Sequence, residues 1–451
     1  MGMRRSVEGK KVSIIGASRS GLGLAVLLRE KGAKVFVSDN SVEKRISSSE
    51  LDRLGVDYEF GYHSEKVLDA DFIAVSPGVP TNIPVLLEAK QRGIPIYGEV
   101  EIAFWFSCAP VYAVTGTNGK STTVTLIDLM LKSSGISSVL AGNIGYPFSR
   151  AVLDHGDADC YVLEISSYQL ETIDLFSPEI AAILNITPDH LDRYKDFEDY
   201  IETKLRIALN QKKDDKIWVN ASDENLRERQ FLSQRYLFWK DGLPEVGAGV
   251  ERGLVIVLGE KILKTDEIKL KGPHNLENAL CASGIAYQAG ATKEAIANVL
   301  RKFSGLEHRM EFVAEINGVT YINDSKGTNV ISTLMALDSF DVPIILIAGG
   351  RGKKTGYSDL ARKIKEKVRA LILLGEDGPI IKDAVLKEGF YEESIFSVSS
   401  MDEAVEVAYS IAREGEVVLL SPACASFDMF SNFEERGRIF KRAVLNLQKN
   451  S

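Results

Sequence analysis

The sequence predicts an α/β protein with mainly parallel sheets, arranged in three domains, and three observations carry the prediction. Apolar runs of strand length alternate with helical patterns almost throughout, as in KKVSIIG, GLAVLLREKG and AKVFVSD over residues 10–39, which is the pattern of strand–helix–strand units. The pattern starts afresh at VYAVTG, residues 111–116, and again in EFVAEINGVTYINDS, residues 311–325. A length of 451 residues is too great for one compact core. Domain limits drawn where the motifs restart are 1–105, 106–306 and 307–451.

Composition narrows the class. Hydrophobic residues make up 45% and charged residues 26%, as in soluble globular proteins, and no stretch approaches the roughly 18 uninterrupted apolar residues of a membrane helix. The opening MGMRRSVEGKKVSIIG has only a short apolar run before polar residues return, so no signal peptide is read and a cytoplasmic protein is expected. Cys108, Cys160, Cys281 and Cys424 lie far apart, with no CxxC and no histidine at metal spacing. Neither a disulfide framework nor a structural zinc site is indicated, and reduced core thiols are expected. A net charge of −9 without a long Lys/Arg run argues against nucleic acid or an anionic membrane as the main partner. Any phosphate site must then be built locally.

The first domain opens in a Rossmann-like manner, with a strand, the turn GASRSG at 16–21, a helix, and Asp39 ending the second strand. Ser18 stands where the middle glycine of a dinucleotide fingerprint would let the backbone approach a pyrophosphate. NAD is therefore not expected, whereas another nucleotide fits the helix N-terminus through backbone N–H groups. A ligand-free strand–helix turn accounts for this stretch equally well. SPGVP, residues 76–80, is a second turn after an apolar strand, where an open sheet carries ligand loops.

The central domain opens with YAVTGTNGKSTT, residues 112–123. Gly116, Thr117, Asn118 and Gly119 would turn successive N–H groups toward a phosphate, Lys120 would add a charge, and Ser121 or Thr122 a hydroxyl for Mg²⁺. A Walker A loop would carry glycine at Val114, and a chance Gly-Lys-Ser turn is the alternative. Strand, glycines, Lys-Ser and the helical TVTLIDLMLKSSG nevertheless come in the right order, so this domain reads as a P-loop-type ATPase. Phosphate-bound Mg²⁺ usually takes a protein carboxylate as well. Glu164, after the strand-like YVL, supplies one, with a surface glutamate as the alternative. His190 in NITPDHLDRY follows the apolar AAILNIT and falls at the same sheet edge. Lys204 in YIETKLRIA reads on base rates as an exposed helix lysine.

Taken in order, TGTNGKST, EISSYQLE, NITPDHLDR, GPHNLENALCA, the pair His308–Arg309 and NDSKGTN resemble the ATP-dependent Mur ligases of peptidoglycan synthesis over nearly the whole chain. A complete Rossmann-like first domain separates it from the related folylpolyglutamate synthases. The closing SPACASFDMFSNFEERGRIF is similar to the D-glutamate-adding branch, and the DNPR-type loop expected of the meso-diaminopimelate-adding branch is missing. The resemblance implies ATP and Mg²⁺, UDP-N-acetylmuramoyl-L-alanine and D-glutamate as substrates, an acyl-phosphate intermediate, a Rossmann-like C-terminal domain that closes on the others, and a monomer.

It also implies roles for residues. Lys120, Glu164, His190 and Lys204 are catalytic, with Ser121, Glu164, His190 and a carbamylated Lys204 at the metal. Adenine lies against Asn275 and Asn278, and the phosphates and ribose near Arg309 and Asp324, in keeping with the donors and acceptors of those side chains. A helix cap at GPHNLEN, with Asn beginning the helix, is the other reading. The nucleotide-sugar falls to Ser20, Asp39, Asn40, Ser76 and Asn143, and the amino acid to Lys326, Thr328, Lys353, Ser426 and Phe433. Where many relatives resemble GGDGK this chain has GGRGKK, and Arg351 and Lys354 read as a solvated basic loop. Two other functions stay open: an amide ligase for a different amino acid or a folate, and a nucleotide-binding regulator or ATPase without ligation.

Overall fold

The computed structural model describes residues 5–41, 45–144, 146–189, 193–352 and 356–450. The chain divides into two compact units, Met1–Phe303 and Ser304–Ser451. Three sheets lie among the described residues. The first unit holds two of them, so the limit drawn at residue 105 falls inside it, near the end of the helix Glu99–Phe106.

The first sheet contains β1 (Lys11–Ile15), β2 (Lys34–Asp39), β3 (Asp57–Phe60), β4 (Phe72–Val75) and β5 (Ile96–Gly98) in the order β3-β2-β1-β4-β5. All neighbours run parallel. Crossover helices cover both faces of such a sheet, so its inner strands must be apolar on both sides. β4 is accordingly buried at every position, and β1 at all but Lys11. Strand order reverses beside β1, which opens a crevice at the C-terminal ends of β1 and β4. Gly16 and Ser76 are the first residues beyond those ends.

The second sheet contains β6 (Val111–Thr115), β7 (Ser138–Gly142), β8 (Cys160–Glu164), β9 (Ile180–Ile183), β10 (Lys216–Asn220), β11 (Gln234–Trp239), β12 (Gly247–Glu251), β13 (Leu254–Val257) and β14 (Glu260–Lys264). Its order is β14-β13-β12-β11-β10-β9-β6-β8-β7, parallel from β7 through β12 and antiparallel over β12–β14. β6 lies between β8 and β9, so the ends of these three strands share one edge. The helices Lys120–Ser133 and Pro273–Gln288 cover one face of this sheet around buried Trp218, Val124 and Leu280.

The second unit carries β15 (Glu311–Ile316), β16 (Val319–Asn323), β17 (Ile344–Gly349), β18 (Val368–Leu374), β19 (Ile395–Ser397) and β20 (Val417–Leu420) in the order β15-β16-β20-β17-β18-β19. β15 is antiparallel to β16 and the remaining neighbours are parallel. The loops after β16, β17 and β20 therefore emerge at one edge. The cysteine expectation needs one correction. Cys160, Cys281 and Cys424 are buried as core thiols, but Cys108 is exposed in the connection before β6.

Candidate active site

Val114, which breaks the Walker pattern, is an interior residue of β6 and wholly buried, so the turn itself begins at Gly116. Gly119 caps the helix Lys120–Ser133 at φ +86°, and a Cβ there would lie 2.3 Å from Asn278 Oδ1. Only glycine meets both conditions. Asn185, at the end of β9, holds the turn: its carbonyl accepts from Thr117 N at 2.9 Å and its side chain from Asn118 N at 2.8 Å. The Asn185 amide in turn donates to Asn118 O at 3.1 Å. The 14-residue helix behind the turn has no acid in its first turn, so its N-terminal field is open to an anion.

Two lysines converge on one carbonyl of this turn. Lys120 Nζ donates to Gly116 O and to Thr117 O, each at 2.8 Å, and Lys204 Nζ donates to Gly116 O at 2.9 Å. Lys204 is 2% exposed, not the solvated helix lysine that base rates suggest, and its ammonium lies 4.7 Å from the centre of the Tyr200 ring. Burial first, and then the Lys120 charge, push the Lys204 amine well below the ordinary lysine range, against the pull of Asp189.

Glu164 is the last residue of β8, is 3% exposed, and faces the same turn. Its carboxylate accepts from Ser121 Oγ at 2.5 Å and from Asn143 Nδ2 at 2.7 Å. The surface-glutamate alternative is therefore excluded by its burial. His190 lies outside the described residues, although the preceding Asp189 is buried. Asn278 is buried beside the turn, where its Oδ1 accepts from Thr123 Oγ1 at 3.4 Å. The helix cap at this point is Gly272 followed by Pro273, so no asparagine begins the helix; Asn275 instead donates back to Lys271 O at 2.7 Å.

At the crevice of the first sheet lies a cavity of about 440 Å³, lined in part by Ser20, Ser76 and Asn143. The helix Arg19–Glu30 starts there without a side-chain cap. Asp39 and Asn40 do not line it. The Asp39 carboxylate accepts from Ala17 N at 2.6 Å and Ser41 N at 2.9 Å, so it braces the turn after β1, while Asn40 is exposed. Arg19 and Gln169 also line the cavity and were not foreseen. The first is hidden in the broken glycine fingerprint, and the second is brought in by chain folding. Asn143 touches both regions, so the hydrogen bonds from Asn143 and Ser121 to Glu164 join the cavity to the phosphate turn.

The second unit gathers its own cluster at the ends of β16 and β20. Arg436, 1% exposed, donates to Ser325 O at 2.8 Å and to Cys424 O at 3.2 Å. It thereby ties the Lys326 loop to the Ser426 loop, and burial lowers its guanidinium to about 10. Lys326 Nζ lies 5.4 Å from the Phe433 ring centre, Ser426 is buried, and Thr328 is half-buried one turn further on. Asp324 is buried, and burial raises its carboxyl to about 6 even though Ser421 Oγ donates to it at 2.8 Å and the Arg309 charge opposes the rise. Non-glycine residues adopt left-handed backbone at His308, Met310 and Ala423, with φ of 65°, 46° and 60°, a concentration of strain typical of functional loops. Arg351 is solvated as expected but is paired with Glu376 at 2.8 Å. Lys353 and Lys354 lie outside the described residues.

Sequence patterns missed further buried groups. Glu101 accepts from the backbone N–H groups of Asp174, Leu175 and Phe176 at 2.8–2.9 Å and from Trp105. Glu99 accepts from Ser149 N at 2.6 Å, and burial raises its carboxyl. Both sit on the helix Glu99–Phe106, whose local pattern gives no hint that acids lie inside.

Three family models match the chain: the Mur ligase MurD-like N-terminal domain over residues 10–98, the Mur ligase middle domain over 114–286, and the Mur ligase glutamate ligase domain over 308–424. A UDP-N-acetylmuramoylalanine–D-glutamate ligase of Thermoanaerobacter pseudethanolicus is 44% identical, covering 98% of this chain and 100% of its own length. One of Clostridioides difficile is 40% identical over the same shares. Among solved structures, the UDP-N-acetylmuramate-alanine ligase MurC of Thermotoga maritima aligns with a TM-score of 0.62 at 20% identity, over 98% of this chain and 100% of that one. The MurF ligase of the same organism, in complex with ADP, aligns with a TM-score of 0.60 at 16% identity, over 98% and 96%. These two likenesses concern the fold.

Proposed function

The chain belongs to the Mur ligase family, and from that premise we propose that it joins D-glutamate to UDP-N-acetylmuramoyl-L-alanine, driven by ATP, in peptidoglycan precursor synthesis. The observation that carries the reading is the hydrogen-bonded chain in which Asn143 of the sugar-sized cavity and Ser121 of the phosphate turn hold the two oxygens of Glu164. On this reading a nucleotide-sugar in the cavity and a phosphate chain at the turn meet at one carboxylate, as phosphoryl transfer between them requires. The preference for D-glutamate rests on the full-length relatives. ATP as cosubstrate puts the reaction in the cytoplasm.

The residues fit the groups the reaction needs. Glycine at 116 and 119 lets the turn pack against Leu184 and Asn278, where a Cβ would collide, and the helix N-terminus with Lys120 suits a phosphate chain. Ser121 and Glu164 offer the oxygen donors that Mg²⁺ takes, and by family correspondence His190 and a carbamylated Lys204 complete the set. When bound, Mg²⁺ neutralises charge on phosphoryl oxygens.

An amide does not form from a carboxylate and an amine in water unless the carboxylate is activated. An oxygen of the alanyl carboxylate attacks the terminal phosphorus of ATP, the bond to the bridging oxygen breaks, and ADP leaves. The glutamate nitrogen then attacks the carbonyl carbon of the acyl phosphate, loses a proton, and phosphate departs. Both steps gather negative charge on phosphoryl oxygens. The expectation that the whole 116–119 turn offers its N–H groups to a phosphate needs correcting, since Thr117 N and Asn118 N donate to Asn185. Lys120 and the N-terminus of the helix Lys120–Ser133 are the groups suited to that charge, and a fixed array of donors meets it without reorganising. Asn143 keeps Glu164 oriented. In the second unit, Lys326 and the hydroxyls of Thr328 and Ser426, with Lys353, suit the two carboxylates of the amino acid.

Purified protein incubated with ATP, Mg²⁺, UDP-N-acetylmuramoyl-L-alanine and a panel of D-amino acids should form one amide product, with D-glutamate, and one ADP for each amide. Phosphate release indifferent to both carboxylate and amine would contradict the proposal, as would a preference for another amino acid.

A further inference from the structure

Arg193 lies against the seam between the two sheets of the first unit. Its Nε donates to Glu171 Oε1 at 2.8 Å and its Nη2 to Glu171 Oε2 at 2.7 Å, with both side chains only 15% exposed. The guanidinium stacks 4.0 Å over the Tyr168 ring, Tyr194 OH adds a third hydrogen bond to Glu171 at 3.0 Å, and Nη2 also reaches Val79 O at 3.3 Å. Tyr168 lies within the single turn Ser167–Leu170 and Glu171 caps its C-terminal end, and a capping box between Ser166 and Gln169 makes the turn rigid. Val79 and Gln169 are wall residues of the nucleotide-sugar cavity. One guanidinium thus ties the loop after β4 to the turn after β8, and that turn begins three residues beyond Glu164.

The energetics point away from a purely stabilising role. A buried ion pair contributes little net stability, because desolvation of the two charges offsets their attraction. A bidentate, stacked arginine does fix geometry in a way a lysine cannot. On the side facing Ser76, Val79, Tyr168 and Gln169, Arg193 borders a space too narrow for a water molecule, so slack left there by a shorter side chain would pass to the cavity wall.

We propose that Arg193 is a positioning residue for the nucleotide-sugar: with Glu171 it clamps Val79 to the Tyr168–Glu171 turn and so sets the spacing of the cavity walls. The proposal rests on the functional reading above, and it assigns the Arg193–Glu171 pair to the sugar substrate and not to ATP.

Arg193→Lys, Glu171→Gln and the double variant test it, with KM measured separately for UDP-N-acetylmuramoyl-L-alanine and for ATP, equilibrium binding of each alone by calorimetry, and thermal melting. Each single variant should raise KM and Kd for the nucleotide-sugar roughly 10- to 100-fold, as loss of an orienting partner does, while the ATP values stay within about twofold. The double variant should be no worse than the singles, because the pair acts as a unit. Equal loss for both substrates, no loss for either, additive effects, or an Arg193→Lys protein that fails to fold would each overturn the assignment. Wild-type protein inert toward this nucleotide-sugar would instead overturn the functional reading; active wild type with unaltered variants would overturn this inference alone.

Discussion

Lys120→Ala should lower kcat/KM for ligation roughly a thousandfold, the scale on which a charge that meets developing phosphoryl charge contributes. Lys120 ends the turn and is only partly buried, so the variant should fold with a melting temperature close to that of wild type. In the described structure its ammonium closes back on Gly116 O and Thr117 O, neutral acceptors that a phosphate oxygen outcompetes. Lys120→Arg should recover little, because a planar guanidinium fork does not replace a compact ammonium that acts as a point charge on phosphate. Steady-state kinetics with ATP titrated at saturating nucleotide-sugar give the answer, and a variant within tenfold of wild type would remove Lys120 from the mechanism.

Lys204→Met should separate stability from activity. The wild-type amine is buried, meets a second ammonium at Gly116 O, and is pushed far below its ordinary value by burial and by Lys120. Methionine of similar length removes the desolvation cost, so the unliganded variant should melt at a higher temperature than wild type. Linkage gives the pH dependence. Where a folded-state pKa is depressed for a lysine, the unfolded chain takes up a proton that the folded chain refuses, once pH falls below the ordinary lysine range. The advantage of Lys204→Met should therefore be small near pH 10.5, the ordinary value, and widen toward neutrality. On the proposed role of Lys204 at the cation site, ligation should fall roughly a thousandfold. Melting curves of both proteins across that range, without bicarbonate, check the first part; a variant less stable than wild type at neutral pH would contradict it.

The α/β alternation and the strand–glycine–helix turns were legible because they are local: a buried parallel strand must be a continuous apolar run, and a turn that approaches its neighbours closely needs glycine. Glu164 was legible for the same reason, as an acid directly after an apolar strand. Its partners Ser121 and Asn143 come from two other segments of the chain, and only folding brings them together. Lys204 shows where local pattern misleads, since its helix looks ordinarily amphipathic while its amine reaches under the phosphate turn. Asp39 fits a ligand role by position, yet both of its oxygens accept backbone N–H groups. Glu99, Glu101, Arg193 and Arg436 escaped notice because a charge inside a protein is rare and depends on partners far along the sequence. Asn185 stands in the sequence only as part of a motif, although it holds the Gly116–Gly119 turn by three hydrogen bonds.

The central claim is that the phosphate turn transfers a phosphoryl group to the substrate carboxylate before the amine attacks. It is tested most directly with UDP-N-acetylmuramoyl-L-alanine carrying oxygen-18 in the alanyl carboxylate, turned over with ATP and D-glutamate, and mass spectrometry of the released phosphate. One labelled oxygen in each phosphate is the predicted result. Phosphate that carries only unlabelled oxygen would contradict the account.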